Sequence, residues 1–197
     1  METPTDEQLL AEVLKQSPQA FELLVRRHSG ELYRFVLRFT HSSVAAEDVV
    51  QDAFLQAYLS ATTFDLRRRF KPWLFTIAAN KARDWLRSRT RRSEVPLDAE
   101  IDGEQGTQTF LDLLACDGDV PQASLELDEQ RRTVRTIVDQ MPQLLREILV
   151  LAYYHRFPYK EIGEILGIPV GTVKSRLHAA VGYFGRAYRT AGEAARE

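Results

Sequence analysis

A stretch of thirty-five residues without a lysine or arginine divides this chain into two parts. Residues 93–127 carry nine Asp and Glu side chains and three glycines. Like charges extend a chain, and connections longer than about 12–15 residues are uncommon inside a compact domain. We therefore predict two domains, at residues 1–93 and 128–190, joined by a flexible acidic linker at 94–127 and followed by a tail at 191–197.

The segments on either side of the acidic linker are basic. Residues 61–92 hold ten Lys and Arg against two acids, and residues 130–197 hold eleven against six. The net charge of the whole chain is only −2 because the linker and an acidic N-terminus cancel these blocks. Clusters of basic residues are typical of proteins that bind polyanions. The distribution of charge along the chain therefore favours a nucleic-acid partner, although the net charge does not indicate one.

Hydrophobic residues recur at helical spacing in both halves, and no segment shows the sustained alternation of a β-strand. Thr5-x-x-Gln8 is a capping box before the first apolar helix face, and Pro72 opens the helix that follows the basic loop. We predict an all-α protein made of two small helical domains. No apolar run reaches the ~18 residues of a membrane helix, so we expect no membrane insertion.

The segment from Tyr159 to Leu177 has the residue spacing of a helix-turn-helix. Gly163 permits a close helix crossing, Gly167 ends the first helix, and a second helix begins near Val170. Such a second helix typically enters the major groove of duplex DNA. A helical hairpin of a protein-binding module is the alternative.

The two faces of this second helix differ in composition. Its predicted inner face consists of Val173, Leu177, Val181 and Phe184. Its predicted outer face consists of Gly171, Thr172, Ser175, His178, Ala179 and Gly182, with Lys174 and Arg176 on the flanks. Small residues permit close approach to base edges, and the polar ones can bond to bases or phosphates.

Aromatic residues are interleaved with the basic block of the N-terminal half. The loop from Thr62 to Phe70, with the adjacent Lys71, combines Phe64 and Phe70 with four basic residues, namely Arg67, Arg68, Arg69 and Lys71. The polar face of the helix that follows carries Asn80, Arg83 and Arg87 at helical spacing. Basic and aromatic side chains together suit a single-stranded nucleic acid. A solvated arginine face with the aromatics in the core is the alternative.

An acidic face lies on the preceding predicted helix. Asp48, Gln51 and Asp52 follow the i, i+3, i+4 pattern, opposite an apolar face of Val49, Val50, Ala53 and Phe54. In a basic half of the chain, such a face is better placed to meet a basic protein than DNA. A merely solvated face is the alternative.

Taken together, these segments resemble a known family, the extracytoplasmic-function (ECF) sigma factors. Ala46–Phe54 (AEDVVQDAF), Phe70–Asn80 (FKPWLFTIAAN) and Asp84–Arg87 (DWLR) resemble its region 2. Met141–Leu149 (MPQLLREIL) and Tyr159–Leu177 resemble its region 4. The resemblance implies a cytoplasmic protein that binds core RNA polymerase, recognises the −10 and −35 promoter elements and promotes strand opening. It also implies an anti-sigma partner and no cofactor.

The resemblance further implies a role for each candidate residue. Polymerase binding falls to Asp48, Gln51 and Asp52. Contacts with the single-stranded −10 element fall to Phe64, Arg67, Arg68, Arg69, Phe70, Lys71, Asn80, Arg83 and Arg87. Contacts with the −35 duplex fall to Thr172, Lys174, Ser175, Arg176 and His178.

Two other classes of function remain as alternatives. A free-standing helix-turn-helix regulator would bind duplex DNA, but it leaves the acidic face and the basic–aromatic helix unexplained. An enzyme would have to use His28, His41, His155 and His178, which are scattered and lack metal-ligand spacing. We therefore expect no catalytic or metal site.

Overall fold

The computed structural model describes residues 3–90 and 125–194, and every regular element within these ranges is helical. The all-α prediction is confirmed. The described residues divide into two compact units, one formed mainly by residues 3–90 and one mainly by residues 125–194. No helix in these two ranges has the length and hydropathy of a membrane span. The predicted linker lies outside the described residues up to position 124.

Consecutive helices build the N-terminal unit between residues 3 and 90. In chain order they are α1 (Asp6–Leu14), α2 (Pro18–Thr40), α3 (Ser43–Leu59), a 3-10 turn (Ala61–Thr63) and α4 (Phe70–Thr90). Helices α2, α3 and α4 pack against one another, and α1 lies against α2, the 3-10 turn and the start of α4.

The helix starts follow the capping signals in the sequence. Thr5 Oγ1 accepts from Gln8 N at 3.2 Å, and Thr5 N donates to Gln8 Oε1 at 2.8 Å, which completes the predicted capping box. Helix α4 begins at Phe70, two residues earlier than predicted. Pro72 is compatible with this start because the N–H groups of a first turn have no partner within the helix.

Aliphatic side chains make up most of the core of this unit, and several phenylalanine rings pack among them. Phe35 lies at ring-centroid distances of 4.6 Å from Phe39 and 5.0 Å from Phe75, and all three are buried. Helix α2 runs without interruption through Gly30, because Leu24 and Leu32 on either side of it are both fully buried in this core. A long α2 gives α3 and α4 a common packing surface.

The C-terminal unit is also helical within residues 125–194. It consists of α5 (Leu125–Gln140), α6 (Gln143–Leu149) with a π-helical continuation (Val150–Tyr154), α7 (Tyr159–Leu166) and α8 (Val170–Ala194). Helix α8 packs against α5 and α6. Helix α5 starts before the predicted domain boundary at 128, and α8 extends into the predicted tail at 191–197.

A buried arginine joins the end of α5 to α6. Arg146 Nη1 donates to the carbonyl oxygen of Asp139 at 2.7 Å. Burial lowers the pKa of Arg146, and the nearby charges of Asp139 and Glu147 oppose that shift. The guanidinium therefore binds a carbonyl in the last turn of α5, where basic side chains commonly hydrogen-bond to the helix end.

Candidate nucleic-acid and protein interfaces

The acidic face predicted on α3 lies on the surface of the N-terminal unit. Asp48, Gln51 and Asp52 are exposed, whereas the side chains on the opposite face of the helix are buried. Asp52 Oδ2 lies 3.4 Å from Lys81 Nζ of α4, and the Asp52 side chain keeps 65% of its accessible surface. Its charge therefore remains available to an external partner.

Apolar side chains extend this acidic face in both directions. Val44, Leu55 and Leu59 are 68%, 57% and 66% exposed. Helical geometry at 100° per residue places all three on the same side of α3 as Asp48 and Asp52. Sequence reasoning missed them, although continuing the same wheel for two more turns would have found Leu55 and Leu59. Exposed apolar residues beside carboxylates are typical of a protein-binding face.

The basic loop before α4 projects its tip into solvent. Residues 65–69 are all exposed. Asp65 Oδ1 accepts from both the backbone N and the Nε of Arg67 at 3.0 Å. These hydrogen bonds lower the pKa of Asp65 and raise that of Arg67. One carboxylate thus holds the first turn of the loop while the arginines face outward.

The structure places the two aromatic −10 candidates inside the unit. Phe70 is fully buried and Phe64 is 9% exposed. The Phe64 ring lies 4.6 Å from that of Trp73 and 6.5 Å from that of Phe70. Because both rings are buried, they are not available on the surface for a base to stack on. They form an aromatic cluster with Trp73 that anchors the loop to the core.

Lys71 also has internal partners. Its Nζ lies 2.6 Å from Glu31 Oε1 of α2 and 5.8 Å from the centre of the Phe75 ring. The side chain is half-buried, with 26% of its surface accessible. Of the predicted −10 candidates on the loop, Lys71 is thus tied to α2 while the three arginines are exposed.

Along α4, the remaining −10 candidates form one ridge. Asn80 and Arg87 are exposed and Arg83 is half-buried. Arg83 Nη1 donates to Asn80 Oδ1 at 3.2 Å, and Arg87 Nη1 lies 3.2 Å from Asp84 Oδ1. The ridge presents the guanidinium groups of Arg83 and Arg87 about one helical turn apart, and arginine is among the side chains that commonly contact phosphates.

The turn between α7 and α8 is built on two glycines. A Cβ atom at Gly163 would lie 2.8 Å from the carbonyl oxygen of Ile168, which is too close for any side chain. Gly167 has a φ of +67°, a left-handed conformation that favours glycine. The backbone N of Ile168 donates to Gly163 O at 3.0 Å and closes the turn. The helix-turn-helix prediction is therefore confirmed in its backbone.

The outer side of the first turns of α8 carries the predicted −35 candidates. Lys174, Ser175 and His178 are exposed, and Thr172 and Arg176 are half-buried. Ser175 Oγ donates to Thr172 O at 3.2 Å. The five side chains thus share the N-terminal part of α8, the part of such a helix that contacts base edges.

Two details of the predicted faces of α8 are corrected. Gly182, placed on the outer face, is buried, and Val181, placed on the inner face, is half-exposed. Ala180 is fully buried instead. The C-terminal half of α8 packs against two helices, and the Tyr183 hydroxyl donates to Gln140 O of α5 at 3.3 Å. A helix held on two sides does not keep the single buried stripe that the sequence suggests.

The four histidines lie in separate places. His28 Nε2 is 2.7 Å from Asp6 Oδ2, His155 is buried in the other unit, and His41 and His178 are exposed. Among the residues that the structure describes, no three His, Cys, Asp or Glu side chains form a group that would hold a metal ion. The candidate set for an enzyme site is thus dispersed.

Comparison with known protein families matches both halves of the chain. The model of Sigma-70 region 2 matches residues 24–92, and that of Sigma-70, region 4 matches residues 125–182. The chain is 35% identical over 169 residues to the ECF RNA polymerase sigma factor SigW of Bacillus subtilis, covering 86% of this chain and 89% of SigW. It is 31% identical over 176 residues to the ECF RNA polymerase sigma-E factor of Escherichia coli, covering 89% of this chain and 90% of that protein.

Solved structures with the same architecture also span most of the chain. The structure of CnrH in complex with the cytosolic domain of CnrY is 26% identical, with a TM-score of 0.66 over 95% of this chain and 99% of that chain. The sigma factor RpoE from Bartonella quintana, in complex with the anti-sigma factor NepR, is 22% identical, with a TM-score of 0.63 over 86% of this chain and 96% of that chain. The second likeness concerns the fold.

Proposed function

The chain belongs to the ECF sigma factors, and from this premise we propose how its surfaces act in transcription initiation. The chain binds core RNA polymerase, recognises the −10 and −35 promoter elements and promotes strand opening, in the cytoplasm. The domain at 1–93 serves polymerase and the −10 element. The domain at 128–190 serves the −35 element, and the acidic segment at 94–127 links them.

The observation that carries this proposal is the pairing of two unlike surfaces on one small unit. Helix α3 exposes carboxylates beside leucines, and α4 exposes a ridge of guanidinium groups. Asp48, Gln51 and Asp52 bind a basic helical surface of polymerase, and Leu55 and Leu59 add apolar contact area. A regulator that binds duplex DNA alone has no use for the α3 surface.

On the DNA side of this unit, the loop and α4 act together. Arg67, Arg68 and Arg69 contact the −10 strand from the loop, and Asn80, Arg83 and Arg87 contact it from α4. Phe64 and Phe70 support the loop from the core, and Lys71 reaches the strand only by leaving Glu31. Unpaired bases are held beside this surface, which favours the open form of the promoter.

In the C-terminal unit, α8 binds the −35 duplex. Thr172, Ser175 and His178 face the base edges, and Lys174 and Arg176 reach phosphates or guanine. CnrH is described in complex with the cytosolic domain of CnrY. We propose that this chain also binds a regulatory protein, an anti-sigma factor that holds it inactive.

A charge-reversal experiment tests the polymerase surface. The double variant Asp48→Arg and Asp52→Arg replaces attraction to a basic partner with repulsion. Each exposed charge pair is worth about 0.2–1 kcal/mol, and reversal approximately doubles the change at each of the two positions, so we expect core-polymerase affinity to fall roughly 4- to 900-fold. The loss should shrink as ionic strength rises.

The matched control reverses two exposed acids on other helices of the same unit. Glu12 of α1 pairs with Lys15, and Glu22 of α2 pairs with Arg26, both with more than half of the carboxylate side chain accessible. Glu12→Arg with Glu22→Arg should leave polymerase affinity unchanged. Transcription from a mapped promoter, with purified core polymerase and with or without the chain, provides the activity readout. Tight, specific binding to naked duplex DNA without polymerase-dependent initiation would overturn the proposal.

A further inference from the structure

Helix α1 lies before the region-2 match at 24–92, so the family comparison assigns it no role. It is nevertheless firmly docked, because Leu9, Leu10 and Val13 are buried against the rest of the N-terminal unit. Its neighbours are α2, the 3-10 turn and the start of α4. The last two of these elements flank the basic loop at 64–69.

Two acids in the first turn of α1 make different contacts. Asp6 binds α2, with Oδ1 3.0 Å from Arg27 Nη1 and Oδ2 2.7 Å from His28 Nε2. Arg27 Nη1 also donates to Pro4 O at 2.8 Å. These contacts fix the position and the rotation of the start of α1, and with them the direction of the next side chain, Glu7.

Glu7 reaches across to the start of α4. Its Oε1 accepts a hydrogen bond at 2.9 Å from the backbone N of Phe70, the first residue of that helix and sixty-three positions away in sequence. The first N–H groups of a helix have no partner within the helix, and the positive end of its dipole favours a carboxylate. Glu7 is therefore a long-range cap of α4.

This cap is placed where the basic loop ends. Phe70 is also held by its ring, 5.6 Å from that of His28 and 6.5 Å from that of Phe64. At the other end of the loop, Phe64 packs on Trp73. The five exposed residues 65–69 thus lie between two anchored residues, Phe64 and Phe70.

We propose that Glu7 is a positioning residue for −10 recognition, which acts by fixing the loop that carries Arg67, Arg68 and Arg69. The inference rests on the proposed function of that loop. A loop already held in its bound geometry loses less conformational freedom when the strand binds. Removal of the cap should therefore weaken strand binding by roughly three- to tenfold, which brackets the typical cost of losing one capping hydrogen bond.

The test uses holoenzyme assembled from the full chain and core polymerase. The probe is a fluorescent single-stranded 12-mer, selected from a random pool by the wild-type holoenzyme. Glu7→Ala should bind this strand three- to tenfold more weakly and should speed hydrogen exchange of the Phe70 amide. Glu7→Gln retains an acceptor oxygen and should stay within about twofold of wild type.

Two further variants separate positioning from stability. Glu12→Ala removes an equal charge from an exposed site on the same helix. Ser42→Ala removes a comparable cap, the bond from Ala45 N to Ser42 Oγ at 3.3 Å, at the N-terminus of α3, a helix about 25 Å long whose opposite end precedes the loop. Both variants should bind the strand as wild type does.

The outcomes distinguish this inference from its premise. If the wild-type holoenzyme selects no strand, the proposed −10 function fails and the role of Glu7 fails with it. If a strand is selected and Glu7→Ala binds it as tightly as wild type, the positioning role alone is overturned. Equal weakening by Glu7→Ala and Ser42→Ala, or by Glu7→Ala and Glu7→Gln, would also reject it.

Discussion

Two exposed leucines on α3 permit a quantitative test of the polymerase surface. Leu55→Ala and Leu59→Ala each remove three carbons, worth about 0.8 kcal/mol apiece on full transfer from water. The residues are 57% and 66% exposed. Covering that surface with a partner is therefore worth about 1.4 and 1.6 kcal/mol. If polymerase covers both side chains, the double variant should bind roughly 150-fold more weakly.

The same substitutions should leave the folded chain almost unchanged, because surface replacements usually alter stability by less than about 0.5 kcal/mol. Equilibrium binding to core polymerase and denaturant unfolding of the free chain measure the two effects. Leu14→Ala is the matched control, since Leu14 is an exposed leucine of α1 in the same unit. A double variant that binds as tightly as Leu14→Ala would refute the assignment. So would a loss that disappears at high salt, because apolar contacts are not screened.

Three further predictions follow from individual contacts. Gly163→Ala brings a Cβ within 2.8 Å of Ile168 O. Because overpacking costs about 1–3 kcal/mol and the gain in helix propensity is about 1 kcal/mol, the free energy of unfolding of the C-terminal unit should fall by up to about 2 kcal/mol. Denaturant unfolding measures this change, and a more stable variant would contradict the prediction. Lys81→Ala removes the cation 3.4 Å from Asp52 and leaves that carboxylate to a basic partner. In a binding assay without DNA, the variant should therefore bind core polymerase up to about fivefold more tightly. Weaker binding would count against the proposed polymerase interface on α3. The pKa of Asp65 lies below its ordinary 3.8 because Arg67 donates hydrogen bonds to the carboxylate. The stability that this contact contributes is therefore fully present above pH 3.8 and is lost as the pH falls through the lowered pKa. An NMR titration of the carboxyl group with a midpoint at or above 3.8 would refute this prediction.

Local patterns in the sequence predicted local structure well. The Thr5 capping box, the glycine-built turn at Gly163 and Gly167 and the outward acidic face of α3 all depend on residues a few positions apart. Helical periodicity decides such features before any tertiary contact forms. These are the features that the structure confirms.

Features that depend on long-range packing were less predictable. The burial of Phe64 and Phe70 depends on Trp73 and on α2, and that of Gly182 depends on a helix packing against a second side of α8. The bond from Phe70 N to Glu7 joins residues sixty-three positions apart. No sequence period reports such a contact, so the role of α1 could be found only in three dimensions.

Along the long helix α8, the positions that can be replaced without loss of stability are different from the positions that hold the helix in the core. It spans 25 residues, or about 37 Å. Lys174, Ser175 and His178 are exposed near its start, while Leu177 and Phe184 secure it in the core. Replacement of the exposed positions therefore costs little stability. Under the proposed role of these positions in −35 binding, descendants of this chain can change their promoter preference by substitutions there while the fold stays stable.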